Sequence, residues 1–461
     1  MIPPKTSIDF FNLAMEKQKS NEMAEAYKLF LACVRADSPH AGGWNNLGVM
    51  LQNNQRPAAA RAAFKRAVEI DPTNAFFLAN LGDICWNLLD YETAEWALTK
   101  ATLLDETNAV AHYDLALVYM NTSRLDKALD LANKACALSP DRVDFAWGRG
   151  FIQLFQGDFV HGWKSYDYRL PFKLPDVLKL PYPMWNGEPL KGKTIFLYHE
   201  QGFGDSIMFL RFLKYMPEGS KIILSMPAEL HRLVRRNFKK YYTKLISPND
   251  AMPPADFHLP LTGIAGRLGF FDPKGFAHDG PYIKPPADGP TLPVSSRALK
   301  VGLCWAGNSE HERDAQRSIT LEQALKYFVL PNVELYSLQV GVHANDVNER
   351  GAQSLVYDVS PLIRDFADTA SIISQLEVVI TVDTAVAHLA GAMGKPTCLL
   401  LPIHGCDWRW GPTENTNPWY PSITSYRQEI MDDWTIPLQT VSNQLRTYPH
   451  PAAIKPEDLT P

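Results

Sequence analysis

The chain has 461 residues, a formal net charge of −5, 46% hydrophobic residues and 21% charged ones. That length implies roughly three units of ~150 residues, and the composition is that of a folded globular chain, which excludes wholesale disorder. The lack of a basic excess excludes a general nucleic-acid binder. Met1 to Lys19 holds no continuous apolar stretch, and the longest apolar region, Val378 to Leu401, is broken by Asp383, His388 and Lys395. No signal peptide and no membrane span are expected. The cysteines, Cys33, Cys85, Cys136, Cys304, Cys398 and Cys406, show no CxxC spacing. They read as buried thiols, and the expected compartment is a reducing one, the cytoplasm.

The first third repeats with a period of about 34 residues. Trp44, Leu47, Gly48, Leu51, Ala60, Phe64, Ala67 and Pro72 are followed in phase by Leu78, Leu81, Gly82, Cys85, Ala94, Leu98 and Ala101. His112, Leu115, Ala116, Tyr119, Ala128, Ala132, Ala135 and Pro140 make the third copy. Small residues at Gly48, Gly82 and Ala116 let paired helices approach, and the prolines end second helices. The pattern resembles the tetratricopeptide repeat. A divergent unit precedes (Phe10, Leu13, Ala14, Ala26, Phe30) and another follows (Gly150, Gly162, Tyr166, Arg169), so the array is expected over residues 1–169. Such stacks form a concave groove for a partner protein, or serve as a spacer or dimerisation surface. Trp86, Trp96 and Trp147 read as core packing.

Pro171, Pro175, Pro181, Pro183 and Pro189 forbid a long helix between Leu170 and Lys193, which reads as a linker. A buried strand, Thr194 to Tyr198, then leads through the glycine loop His199–Asp205 into an apolar helical pattern at Ser206–Met216. This opens a Rossmann-like unit without the full dinucleotide fingerprint, which disfavours a nicotinamide enzyme. A second strand is predicted at Lys221–Ser225, with shorter elements to about Ile283. Pro285 to Pro293 marks a boundary between domains at 194–289 and 290–461. The pattern restarts with strands at Lys300–Trp305, Val333–Leu338, Val378–Val382 and Thr397–Leu401. Helices are predicted from Thr320, near Asp368–Gln375 and over Thr384–Met393. The expected fold is an α-helical repeat solenoid followed by an α/β region of two Rossmann-like domains facing a cleft, with ligands at the carboxyl ends of the strands.

Three loops offer chemistry. Asp383-Thr384-Ala385 ends a strand and starts a helix, where free amides and the helix dipole favour a phosphate, with His388 one turn in. An ordinary N-cap and a core histidine are the alternative. The loop Gly307–Ser318 carries His311, Arg313 and Arg317, which either neutralise a departing diphosphate or pair with Glu310, Glu312 and Asp314. Gln339 follows a strand and could reach a base or ribose. Trp408, Trp410, Trp419 and Tyr420 either stack on a ligand or clamp the C-terminal packing. Asp432 and Asp433 read as surface acids.

Gly204-Asp-Ser-Ile with its apolar helix, and Asp383-Thr-Ala-Val-Ala-His388-Leu-Ala-Gly-Ala, resemble the heptosyltransferase-like glycosyltransferases of GT-B fold. Glu200-Gln-Gly-Phe-Gly-Asp205, Val301–Asn308 with Arg317-Ser-Ile319, and Asp407-Trp-Arg-Trp410 resemble the bacterial subset fused to tetratricopeptide repeats, which includes flagellin glycosyltransferases. The resemblance implies Asp205 as general base and Glu200, Gln201 and Gly204 on the acceptor side. Asp383, Thr384, Ala385, His388, Arg317, Asn308 and Gln339 would lie on the donor side. Glu200-Gln201 stands where heptosyltransferases carry small hydroxyl residues, so Glu200 or His199 is a reserve base.

The implied activity is metal-independent transfer from a nucleotide-sugar co-substrate, without a cofactor, to a protein hydroxyl such as flagellin Ser or Thr, recruited by the repeats. A lipopolysaccharide or capsule glycan as acceptor, or a non-catalytic repeat scaffold, are the alternatives. Heptose, a nonulosonic acid and N-acetylglucosamine are all compatible sugars.

Overall fold

A computed structural model describes residues 6–36, 38–174, 176, 179–272, 275, 280–292, 298–310, 313–412 and 415–448. His311, Glu312, Pro175 and Pro293 of the segments above lie outside the described residues. The chain divides into two compact units, between Gln153 and Leu154.

The first unit is helical: α1 (Ser7–Lys19), α2 (Met23–Arg35), α3 (Ala41–Asn53), α4 (Pro57–Ile70), α5 (Ala75–Asn87), α6 (Tyr91–Leu104), α7 (Ala109–Asn121), α8 (Leu125–Leu138) and most of α9 (Val143–Gln156). Its period is written into the backbone. Asn21, Gln55, Leu89 and Ser123, spaced as the sequence repeat, all have positive φ, at 62°, 57°, 63° and 60°. After each, the same bond returns to the first helix: Glu22 N–H to Lys17 O, Arg56 to Leu51, Asp90 to Cys85 and Arg124 to Tyr119. This is a left-handed C-cap that closes one helix and starts its partner. Gly157, φ 88°, occupies the same place one period on, which identifies the fifth, divergent unit.

Close packing accounts for the small residues. A Cβ at Gly48 would stand 2.7 Å from the ring of Phe64, itself fully buried, and one at Gly82 would strike Leu98. Trp86 and Trp147 are half-buried, but Trp96 is 45% exposed beneath the Lys100 ammonium, so it is not a core residue.

The second unit begins before the expected boundary at Arg169. Helices α10 (Phe159–Tyr166) and α11 (Arg169–Lys173) belong to it by packing. Trp163 covers Gly266 and donates to Phe270 O at 2.8 Å, and Phe159 meets Trp408 and Trp419. Their aromatic faces are buried on α/β elements, which is why the repeat consensus fades here.

Two parallel sheets follow. The first contains β1 (Thr194–Tyr198), β2 (Lys221–Ser225), β3 (Lys244–Ile246) and β4 (Phe257–Pro260) in the order β3-β2-β1-β4. The second contains β5 (Leu299–Cys304), β6 (Val333–Ser337), β7 (Val356–Asp358), β8 (Val378–Val382), β9 (Thr397–Leu401) and β10 (Ile423–Arg427) in the order β10-β9-β8-β5-β6-β7. Crossover helices are α12 (Phe203–Phe209), α13 (Ala228–Phe238), α14 (Leu321–Phe328), α15 (Phe366–Ser374) and α16 (Ala385–Ala392), and α17 (Thr435–Thr447) follows the last strand.

The architecture is therefore a helical repeat array followed by two Rossmann-like lobes, the GT-B arrangement. The expected helix Ser206–Met216 is instead α12 continued by a 3₁₀ segment, Leu210–Tyr215. Strand order reverses between β1 and β4 in the first lobe and between β5 and β8 in the second, which places a ligand crevice at each point. Among the described residues no helix is long and apolar enough to cross a membrane.

Gly48→Val should destabilise the repeat unit by about 1–3 kcal/mol, because Phe64 must leave a well-packed rotamer. Urea denaturation checks this; an unchanged midpoint would show that the close approach is dispensable.

Candidate functional site at the lobe interface

At the first crevice the loop after β1 turns through Gln201, whose φ is 63°, and enters α12. The crevice is filled by the chain itself. Glu200, 5% exposed, accepts through Oε1 from Arg169 Nε at 2.8 Å, Thr262 Oγ1 at 2.8 Å and Gln201 Nε2 at 2.6 Å. Arg169 also donates to Thr262 Oγ1 at 2.7 Å, Tyr166 O and Asp167. Breaking a buried pair of this kind leaves an uncompensated charge and costs about 3–5 kcal/mol. Gln201 shares hydrogen bonds with Tyr166 Oη. Glu200 and Gln201 thus hold α11 and the loop together. His199 is hydrogen-bonded to Ser206 Oγ at 2.7 Å, and burial lowers its pKa.

Asp205 lies in the first turn of α12. Its Oδ2 accepts the Gly202 N–H at 2.9 Å, and its Oδ1 is 2.5 Å from Arg409 Nη2 of the second lobe. Burial raises the Asp205 carboxyl above its ordinary range, with Arg409 drawing it down and Asp407 adding to the rise. Gly204 is where the lobes touch. A Cβ there would stand 2.5 Å from His388 Cδ2, so glycine alone admits the imidazole.

At the second crevice Asp383 and Thr384 follow β8. Thr384 is the N-cap of α16, yet no side chain caps the helix, and its hydroxyl turns to Thr381 Oγ1 at 3.0 Å. The first-turn amides at Ala385 and Val386 thereby keep their anion-binding character. Asp383, partly buried, is pushed up to about 6 by burial and then by Asp407, against the pull of Arg317. Arg317 crosses the loop after β5, where a Cβ at Gly307 would stand 2.5 Å from its Nη2. Its Nε donates to Asp314 at 3.2 Å.

Other predicted residues are engaged in packing or in shaping loops. His388 is 5% exposed, bonds Tyr420 Oη through Nδ1 at 3.1 Å and packs on Trp410 at 4.7 Å. Burial drives its pKa well below the ordinary value, so the ring is neutral. Gln339, 3% exposed, accepts the Trp305 and Ala306 amides at 3.2 and 3.0 Å and donates to Ala306 O at 3.0 Å; its side chain shapes the loop after β5. Asn308 is exposed and caps a turn by accepting the Glu310 N–H. Trp408, Trp410, Trp419 and Tyr420 are between 1% and 3% exposed and pack as a clamp.

Arg409 is the residue that reading the sequence passed over, although Asp407-Trp-Arg-Trp410 contains it. It is 4% exposed, stacks on Trp408 at 4.4 Å and donates through Nη1 to Asp407 Oδ1 at 2.8 Å. Asp205, Arg409 and Asp407 form an ion triad spanning the lobes. Arg232 of α13 adds a second link, to Asp365 at 3.0 Å and Asp368 at 2.8 Å, and Phe203 meets Phe366. Among the described residues, no group of three or more His, Cys, Asp or Glu is placed to hold a metal ion.

The tetratricopeptide repeat family matches residues 41–74 and 80–143, and these repeats are present in the structure. Protein FlbA of Caulobacter vibrioides is 25% identical over 380 residues, which is 73% of this chain. The chain spans 61% of the length of that relative. Among solved structures it is similar to a mutant O-GlcNAc transferase of Thermobaculum terrenum, at 16% identity and TM-score 0.32, over 80% of this chain and 83% of that one. It is also similar to the MamA protein, at 22% identity and TM-score 0.33, over 39% of this chain and 98% of that one.

A carboxyl that keeps its proton at higher pH in the native chain than in the unfolded one makes native stability fall as pH rises between the two pKa values. For Asp383 that window runs from about 4, the unfolded value, to about 6. Asp383→Asn should therefore gain stability relative to wild type across it, by at most about 3 kcal/mol. Denaturation at the two ends of the window measures this; a constant difference would mean that the carboxylate ionises without cost.

Proposed function

We propose that the chain is a glycosyltransferase that moves a sugar from a nucleotide-sugar donor to a hydroxyl of a protein acceptor. The observation that carries the reading is the meeting of two strand-end sites. Asp205 of the first lobe faces Arg409, and the second lobe presents the uncapped start of α16 beside Arg317. The donor phosphate would bind the first-turn amides of α16, with Arg317 offsetting its charge. An acceptor hydroxyl would give its proton to Asp205 and attack the anomeric carbon. The bond from that carbon to the phosphate oxygen would break, and the nucleotide would leave with the electron pair.

The raised pKa of Asp205 suits a base better than a fully solvated carboxylate would. Glu200 is a poorer candidate, because Arg169 and Thr262 already occupy its Oε1. A protein acceptor, of the flagellin Ser/Thr type, is supported by the repeat array and by the motif resemblance.

Thr384→Trp should abolish ligand-specific thermal stabilisation, because the bulky side chain blocks approach to the α16 amides. A panel of nucleotides and nucleotide sugars on wild type and variant would show a shift for one donor class in the wild type alone. No shift with any of them would turn the reading toward a non-catalytic scaffold. With that donor radiolabelled, transferred label should become protease-sensitive. Protease-resistant label would move the acceptor to a surface glycan.

A further inference from the structure

We infer that Arg409 serves two anions in turn, Asp205 and the donor phosphate, so that donor binding releases the base. The inference rests on the glycosyltransferase reading above. The Arg409 backbone is held firmly: its carbonyl accepts from Asn417 Nδ2 at 2.9 Å, and Arg427 Nη2 donates to the neighbouring carbonyls of Trp410 and Gly411 at 2.7 and 2.8 Å. The inner edge of the guanidinium is also held, by Asp407.

The outer edge is different. Nη2 is only 2.5 Å from Asp205 Oδ1, yet it makes no aligned hydrogen bond, and neither does Nε. A guanidinium 4% exposed to solvent with two nitrogens in this condition is under-satisfied, since buried donors ordinarily find acceptors. Its planar fork matches a phosphate better than the single carboxylate oxygen it faces.

The second anion has a place to bind. Trp410, next to Arg409, packs on His388 of α16 with ring centroids 4.7 Å apart, and Gly204, next to Asp205, meets the same imidazole, so the triad and the uncapped amides at the start of α16 share one neighbourhood. A phosphate at those amides that takes the outer edge of Arg409 competes with Asp205 for it. Asp205 then keeps only the Gly202 amide and becomes free to accept the acceptor's proton. The donor would therefore bind before the acceptor reacts, and the base would act only when a leaving group is in place.

Competition has a signature that a merely structural ion pair lacks. Removing the charge of Asp205 should tighten phosphate binding. Inorganic pyrophosphate serves as the probe, titrated calorimetrically into the full chain. Asp205→Asn should bind it about five-fold or more tightly than wild type, and Arg409→Gln at least ten-fold more weakly. Equal or weaker binding by Asp205→Asn would overturn the competition, and unchanged binding by Arg409→Gln would remove Arg409 from the phosphate site. If Arg409→Gln fails to fold, the Asp205→Asn result decides alone, since a gain in affinity does not come from lost structure. Thr384→Trp separates the two failures. Binding that this variant loses, without a gain in Asp205→Asn, would sink the coupling and keep the donor site. Binding absent from wild type and Asp205→Asn alike would sink both.

Discussion

One guanidinium held between two carboxylates governs how the two α/β lobes meet. Arg409 joins Asp205 of the first lobe to Asp407 of its own. Burying the guanidinium is costly, and attraction to the two partly buried carboxylates offsets that cost only when the geometry is close. The lobes are consequently held where Asp205 and Arg409 can meet. The other contacts across the interface follow from that approach: His388 lies on Gly204, and Arg211 donates to Trp419 O at 3.0 Å while stacking on Tyr420. The Arg232 pair with Asp365 and Asp368 works at another point of the same interface, and its Arg partners help hold Asp368 down at about 2.

The fifth, divergent repeat is where the helical array gives way to the α/β lobes. Gly157 keeps the positive φ of the regular repeats' turns, while α10 presents Phe159 and Trp163 to the aromatic residues of the α/β lobes. Trp163 meets Phe209 of the first lobe and Trp408 of the second. Arg169 then occupies the first lobe's strand-order reversal through Glu200 and Thr262. In an open α/β sheet that crevice is the ordinary ligand site. Here the chain itself occupies it, through Arg169, Glu200 and Thr262.

Much of this is legible in the sequence. The repeat was visible because each unit needs the same small and large residues at the same helix contact. Strands buried on both faces, such as Thr194–Tyr198 and Val378–Val382, appear as unbroken apolar runs and fell where predicted. Four strands were not assigned: Lys244–Ile246, Phe257–Pro260, Val356–Asp358 and Ile423–Arg427. All four are edge strands; three have only three or four residues, one of these, Phe257–Pro260, ending in proline, and the fourth, Ile423–Arg427, is interrupted by exposed Thr424, so none gives an unbroken apolar run.

The sequence by itself determined the helical array, the two α/β lobes and the positions of Asp205, Asp383 and Thr384 at strand-to-helix turns, because these depend on local periodicity, glycine and capping. Which charges meet was decided only by the tertiary structure. Asp205 and Arg409 are far apart along the chain, as are Arg169 and Thr262, and no local rule links them. Burial and partner then set the behaviour of each group. The same packing leaves His388 neutral against Gly204, directs Gln339 to the loop after β5, and raises Asp205 and Asp383 above ordinary carboxylates.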